Sequence, residues 1–110
     1  MSGRARVMIW HREPSDEPGA IEQAYRQISA SLSGTPGLLS NELLRATDDT
    51  SRVLVMSEWE NLVAFKEWEE GMSHRSTTSP LRRFQDRDRE RFYEIYEVAV
   101  SYREEGGDRS

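Results

Sequence analysis

Apolar residues in this chain recur at two spacings, and the order in which the spacing changes leaves few folds open. Val7, Met8, Ile9 and Trp10 make a short apolar strand that stops before Pro14, and Ser15, Asp16 and Pro18 announce a helix. From Ala20, the residues Ile21, Ala24, Tyr25, Ile28 and Leu32 follow the i, i+3, i+4, i+7, i+11 series of one helical face. Gly34, Pro36 and Gly37 end that helix, because glycine accepts a left-handed cap and proline cannot continue the ladder. Residues 38–46 read as a second strand, and Thr47 to Ser51 as a turn whose short polar side chains can bond their own backbone. The third strand resumes at Arg52. Its Val53 to Trp59 run is apolar enough for burial on both faces, and so short a turn predicts antiparallel pairing with the second strand. From Asn61, the spacing of Phe65, Trp68 and Met72 predicts a second amphipathic helix to about Gly71, with a looser helical segment from His74 to Pro80 and beyond. Residues 92–102 alternate Phe92, Tyr96, Val98, Val100 and Tyr102 with Tyr93, Ile95 and Ala99, a long final strand apolar on both sides.

The order β-α-β-β-α-β predicts a ferredoxin-like α+β fold: a four-stranded antiparallel sheet with both helices on one face. The helices cover only that face, so the apolar residues on the other must meet something. With 110 residues, 35% of them hydrophobic and 32% charged, the core is thin, and a second sheet is the expected cover. The expectation is a homodimer whose sheets pack face to face as a dimeric α+β barrel. Residues 1–103 form the domain in this reading, and the charged, glycine-rich residues 104–110 a disordered tail.

Charge and composition remove several function classes. A net charge of −5 opposes phosphate backbones. The one basic run, Arg82, Arg83, Arg87, Arg89 and Arg91, is interrupted by Asp86, Asp88 and Glu90, so it reads as a solvated mixed-charge face and no nucleic-acid partner is expected. There is no cysteine, hence no disulfide framework and no thiolate nucleophile. No apolar run approaches the ~18 residues of a membrane helix and Met1 to Arg6 lead into no apolar leader, so the expected location is the cytoplasm, with no membrane contact. No pair of His or carboxylate residues combines suitable spacing with apolar surroundings, so no metal site is expected. No glycine motif for nucleotides is present, so no flavin or nicotinamide is expected either.

The runs Gly37-Leu38-Leu39-Ser40-Asn41-Glu42-Leu43-Leu44-Arg45, Val53-Leu54-Val55-Met56-Ser57-Glu58-Trp59-Glu60 and Ala64-Phe65-Lys66-Glu67-Trp68 resemble the antibiotic biosynthesis monooxygenase domain family, and Ser73-His74-Arg75 with Pro80-Leu81 look like its usual ending of the second helix. The resemblance extends from Val7 to about Tyr102. It implies the dimeric barrel and several activities: cofactor-free oxygenation of aromatic polyketides, oxidation of quinols, and haem degradation, beside members with no known activity.

On that resemblance Trp59 stands where the cofactor-free oxygenases carry a tryptophan thought to contact the aromatic substrate. The asparagine those enzymes place four residues earlier is Val55 here, and a tyrosine some carry six residues later is Phe65. His74 lies in the region of the haem-ligating histidine of haem-degrading relatives, but only six residues beyond Trp68. Those enzymes place it about nine or ten residues on, where Thr77 and Thr78 ligate iron poorly.

His74 and His11 are the candidate bases, since imidazole titrates near neutrality. His11 follows Trp10 in the first strand, so the two point to opposite faces and only one can line a cavity above the sheet. Trp59, Phe65, Trp68 and Trp10 are candidate aromatic contacts. Asn41 and Ser57 sit within apolar strands, where a buried polar side chain needs a partner that a substrate could supply. The function expected is therefore a cofactor-independent monooxygenase in which a phenol, anthrone or quinol loses a proton and its anion reacts with molecular oxygen. The alternatives are a non-oxygenase cyclase or binding module for an aromatic metabolite, and haem degradation.

Overall fold

The computed structural model describes residues 3–71 and 79–102. Six elements follow in the expected order: β1 (Ala5–Arg12), α1 (Ala20–Ser31), β2 (Leu38–Arg45), β3 (Arg52–Trp59), α2 (Leu62–Glu70) and β4 (Tyr93–Glu97). The proposed tail from Glu104, the segment around His74, and Thr77 and Thr78 lie outside the described residues.

Local chemistry explains the boundaries. Gly19 takes the N-cap of α1 with φ 84° and offers no side chain, so the cap comes from the residue just after β1: Glu13 Oε2 accepts the N–H of Gly19 at 3.0 Å and of Ile21 at 3.4 Å. At α2 the N-cap residue supplies the cap with its own side chain, Asn61 Oδ1 accepting the Ala64 N–H at 2.8 Å. In the β2–β3 turn, Asp49 Oδ1 accepts from the Ser51 N–H at 3.1 Å and from its hydroxyl at 2.7 Å. Gly37 is left-handed, φ 81°, and a Cβ there would come within 2.5 Å of Ala64 Cβ. Only glycine lets β2 begin so close to α2.

The sheet is antiparallel in the order β2-β3-β1-β4. That is the ferredoxin-like arrangement. Ala5, Val7, Ile9 and His11 of β1 lie opposite Trp59, Ser57, Val55 and Val53 of β3 and share the face that the helices cover. Ile21, Ala24 and Ile28 of α1 pack with Val53, Val55, Leu81 and Phe84. Phe65 of α2 packs with Ala5, Val7 and Trp59. The two clusters lie over opposite ends of one face.

The other face carries Leu44, Leu54 and Trp10 in one row and Met56 and Met8 in the next, between Glu42 and Glu94. In the single chain β3 is buried on one side and half-buried on this one. Glu58 Oε2 accepts from Arg4 and Arg6, each at 3.3 Å, at the margin of the apolar rows.

Two expectations change. The final strand is Tyr93–Glu97 rather than residues 92–102: Glu97 pairs with Ala5, the first residue of β1, and one further bond, Val98 N–H to Arg4 O at 2.8 Å, ends the ladder. Val100 and Tyr102 are therefore exposed. The mixed-charge run is also not wholly solvated. Residues 84–86 continue the outer edge of β1 through Arg12 N–H to Phe84 O, 2.8 Å, and Asp86 N–H to Trp10 O, 2.9 Å. That pairing buries Asp86, which meets Arg12 at 3.6 Å.

Among the described residues no helix is long and apolar enough to cross a membrane.

Candidate functional site

The rows of the covered sheet face leave a narrow internal cavity of ≈ 60 Å³ beneath the helices. Its floor is Val7, Ile9 and Val55, and its walls include Ile28, Leu32 and Leu81. Trp59, Phe65 and Trp68 close one end. Their rings form a compact trio, with Trp59 5.5 Å from Phe65 edge-on and 5.3 Å from Trp68. Trp59 is 1% exposed, so it is both core and cavity wall. Its indole N–H donates to Ser57 Oγ at 2.9 Å.

Four polar side chains reach this cavity, and two already have partners. Ser57 is held by Trp59, and Gln85 Oε1 accepts from Arg87 at 3.1 Å. The others are His11 and Asn41. Among the described residues, the buried side-chain polar atoms with no hydrogen-bond partner are His11 Nδ1 and Asn41 Oδ1. Both line this cavity. An unsatisfied buried polar atom costs about 1–3 kcal/mol, so each of these two calls for a partner within the cavity, an ordered water or a ligand.

His11 is 2% exposed. Burial pushes its pKa down to about 4, against the Ile9 carbonyl and the Asp86 charge, which both act to raise it. The imidazole is neutral at physiological pH and can accept a proton. Asn41 is placed by β2, and its backbone carbonyl accepts from the Tyr25 hydroxyl of α1 at 2.9 Å.

Of the residues singled out from sequence, His11, Asn41, Ser57, Trp59, Phe65 and Trp68 meet in this cavity. Trp10 does not. Strand alternation sends it to the opposite face, where the Arg89 guanidinium lies 4.0 Å from its ring centroid. His74 is outside the described residues. Sequence reasoning missed Leu81 and Gln85, both cavity-lining. Gln85 arrives through an isolated bridge to His11, a long-range pairing with no local signal.

A wider groove of ≈ 370 Å³ runs between α1 and β2, beside Glu22, Arg26 and Arg45. It is open to water and holds neither orphaned atom. Among the described residues no group of three or more His, Asp or Glu could hold a metal ion.

Known proteins share this architecture. SnoaB from Streptomyces nogalater, a cofactor-independent oxygenase, superposes with a TM-score of 0.69 over 94% of this chain and 97% of that one, at 16% identity. A conserved protein from Methanosarcina mazei Go1 superposes with a TM-score of 0.71 over 86% of this chain and 92% of that one, at 10% identity. At such identities the likeness concerns the fold. In sequence, Protein SchA from Streptomyces halstedii is 26% identical over 78 residues, which are 71% of this chain and 20% of that protein. The chain thus spans about a fifth of the length of this curated relative. The profile of the family described as Antibiotic biosynthesis monooxygenase matches residues 7–78, most of the sheet, both helices and nearly all of the cavity's lining, and the chain belongs to that family.

Proposed function

We propose that this chain is a cofactor-independent monooxygenase of an electron-rich aromatic, of the anthrone or quinol type found in polyketide metabolism, and that it works as a homodimer. The observation that carries the reading is the neutral His11 imidazole, with its Nδ1 unpartnered among the described residues, inside a narrow cavity walled by Trp59, Phe65 and Trp68. Such a substrate supplies its own electrons. The protein has to hold the ring, exclude water and accept a proton.

For a quinol the step balances without a cofactor. His11 takes the proton of a ring hydroxyl, and the developing anion beside the imidazolium raises the affinity of the imidazole for that proton. The anion gives an electron to O₂, the radical pair combines as a peroxide at the neighbouring C–H carbon, and the imidazolium returns its proton to give the hydroperoxide. Loss of water, formed from the remaining C–H hydrogen and the distal O–H, leaves the ketone. One O₂ is used, one oxygen atom enters the product and the other leaves as water.

The dimer reading rests on Trp10, Leu54, Leu44, Met8 and Met56, which cover the sheet face that no helix reaches. A second reading, a cyclase-like or binding module for an aromatic metabolite, draws support from Val55 and Phe65, which stand where related oxygenases carry polar groups. Oxygen uptake with a fused-ring quinol separates the two: the oxygenase reading expects enzyme-dependent consumption with a hydroxyquinone product, and the binding reading expects binding without consumption.

A further inference from the structure

The two orphaned polar atoms of the cavity are far apart. His11 lies opposite Val53, and Asn41 lies opposite Ser57 on the other side of β3. Four residues along a strand and two strand spacings across place their Cα atoms on the order of 15–17 Å apart. No single hydroxyl can serve both. The cavity lining runs between them under all of the intervening rows: Val55 and Ile9, then Ser57 and Val7. None of the described lining residues carries a formal charge at neutral pH, so a carboxylate or phosphate brought inside would be desolvated without a counter-charge.

We propose that His11 and Asn41 are the specificity pair of this cavity, engaging oxygen substituents at opposite ends of one elongated, uncharged aromatic ligand. The proposal rests on the reading of the cavity as an aromatic site. Asn41 Oδ1 accepts only, so that end of the ligand must present a hydroxyl. His11 Nδ1 meets the oxygen at the far end, and the ring system between them lies on Val55 and Ile9 with its edge at the Trp59 trio. Ser57 Oγ and Gln85 Oε1 already accept bonds within the protein, whereas the described lining atoms left with no partner belong to His11 and Asn41.

The test uses quenching of tryptophan fluorescence in the whole protein by three ligands: an anthraquinone hydroxylated at both ends of its long axis, unsubstituted anthraquinone, and a naphthol about half as long. The wild type should prefer the dihydroxy compound. Asn41→Leu and His11→Phe should each weaken its binding by roughly 2- to 12-fold, the range for one net hydrogen bond, and leave unsubstituted anthraquinone unchanged. The naphthol, reaching one end only, should respond to one of the two substitutions. If His11→Phe does not fold, the wild-type ligand series and Asn41→Leu still decide the matter. Equal binding of both anthraquinones by the wild type overturns the pairing but leaves an aromatic site. Failure of every ring compound to bind overturns the site as well.

Discussion

Trp59 and Ser57 stand on the same face of β3, two residues apart, and the indole N–H of one donates to the hydroxyl of the other at 2.9 Å with both residues buried. The bond fixes the tryptophan ring against Phe65 and Trp68 and engages the oxygen of a serine that lines the cavity. Ser57 is therefore a positioning residue. Ser57→Ala should lower stability by about 1–3 kcal/mol, the cost of a buried unpaired donor, and leave hydroxylated ligands bound almost as before. Thermal unfolding and ligand titration on the same variant check this. A preserved melt with weakened binding would assign Ser57 to the ligand instead.

His11 makes stability depend on pH. Its pKa of about 4 in the folded chain lies below the ordinary 6.5, so between those values the unfolded chain binds more protons. Stability contributed by the neutral imidazole is fully present above about pH 6.5 and falls away as the pH drops toward 4. At ~1.4 kcal/mol per unit the full effect is about 3 kcal/mol. Denaturant unfolding from pH 7 to pH 4 should show a steeper decline in the wild type than in His11→Gln. Parallel slopes would mean that the imidazole is not buried as described.

Much of this was legible in the sequence, for reasons that differ by residue. The face of α1 follows from Ile21, Ala24 and Ile28 because helical spacing fixes which side chains meet the sheet. The pairing of β2 with β3 follows from the short turn. The alternation of Trp10 and His11 assigns them to opposite faces, yet which one faces the helices depends on the register with Val53 and the bridge to Gln85, contacts between distant segments. The overrun of the last strand has a similar origin: Val98 to Tyr102 keep the apolar alternation, but β1 starts at Ala5 and offers no further partner. The bond between Ser57 and Trp59 is invisible to any pattern of apolar spacing, and so is the orphaned state of Asn41.

The cavity must open to admit a ring compound. At ≈ 60 Å³ it is well below the ~300–1,000 Å³ of typical ligand sites. The element free to yield is α2, which has Phe65 as its one fully buried residue. Phe65→Leu should speed association of an anthraquinone in stopped-flow quenching while lowering stability by about 1–3 kcal/mol. An unchanged association rate would place the entrance elsewhere.

The open sheet face predicts self-association. Light scattering of the wild type should give twice 12.8 kDa, and Leu54→Arg, which sets a charge in the middle of the apolar row beside Trp10 and Leu44, should shift it to the mass of one chain. The far-UV circular dichroism should persist, since Leu54 points away from the helix-covered core. A wild type that stays a single chain at micromolar concentration would remove the need for a second sheet.

The most direct test is oxygen uptake by metal-free protein supplied with a fused-ring quinol under low light. The account predicts one O₂ consumed for each hydroxyquinone formed, at a rate proportional to protein concentration, and a fall of roughly 10²–10⁴-fold in His11→Gln if that imidazole is the general base. Uptake no faster than the uncatalysed reaction, in protein that nevertheless binds anthraquinone, would contradict the oxygenase and leave a binding module in its place.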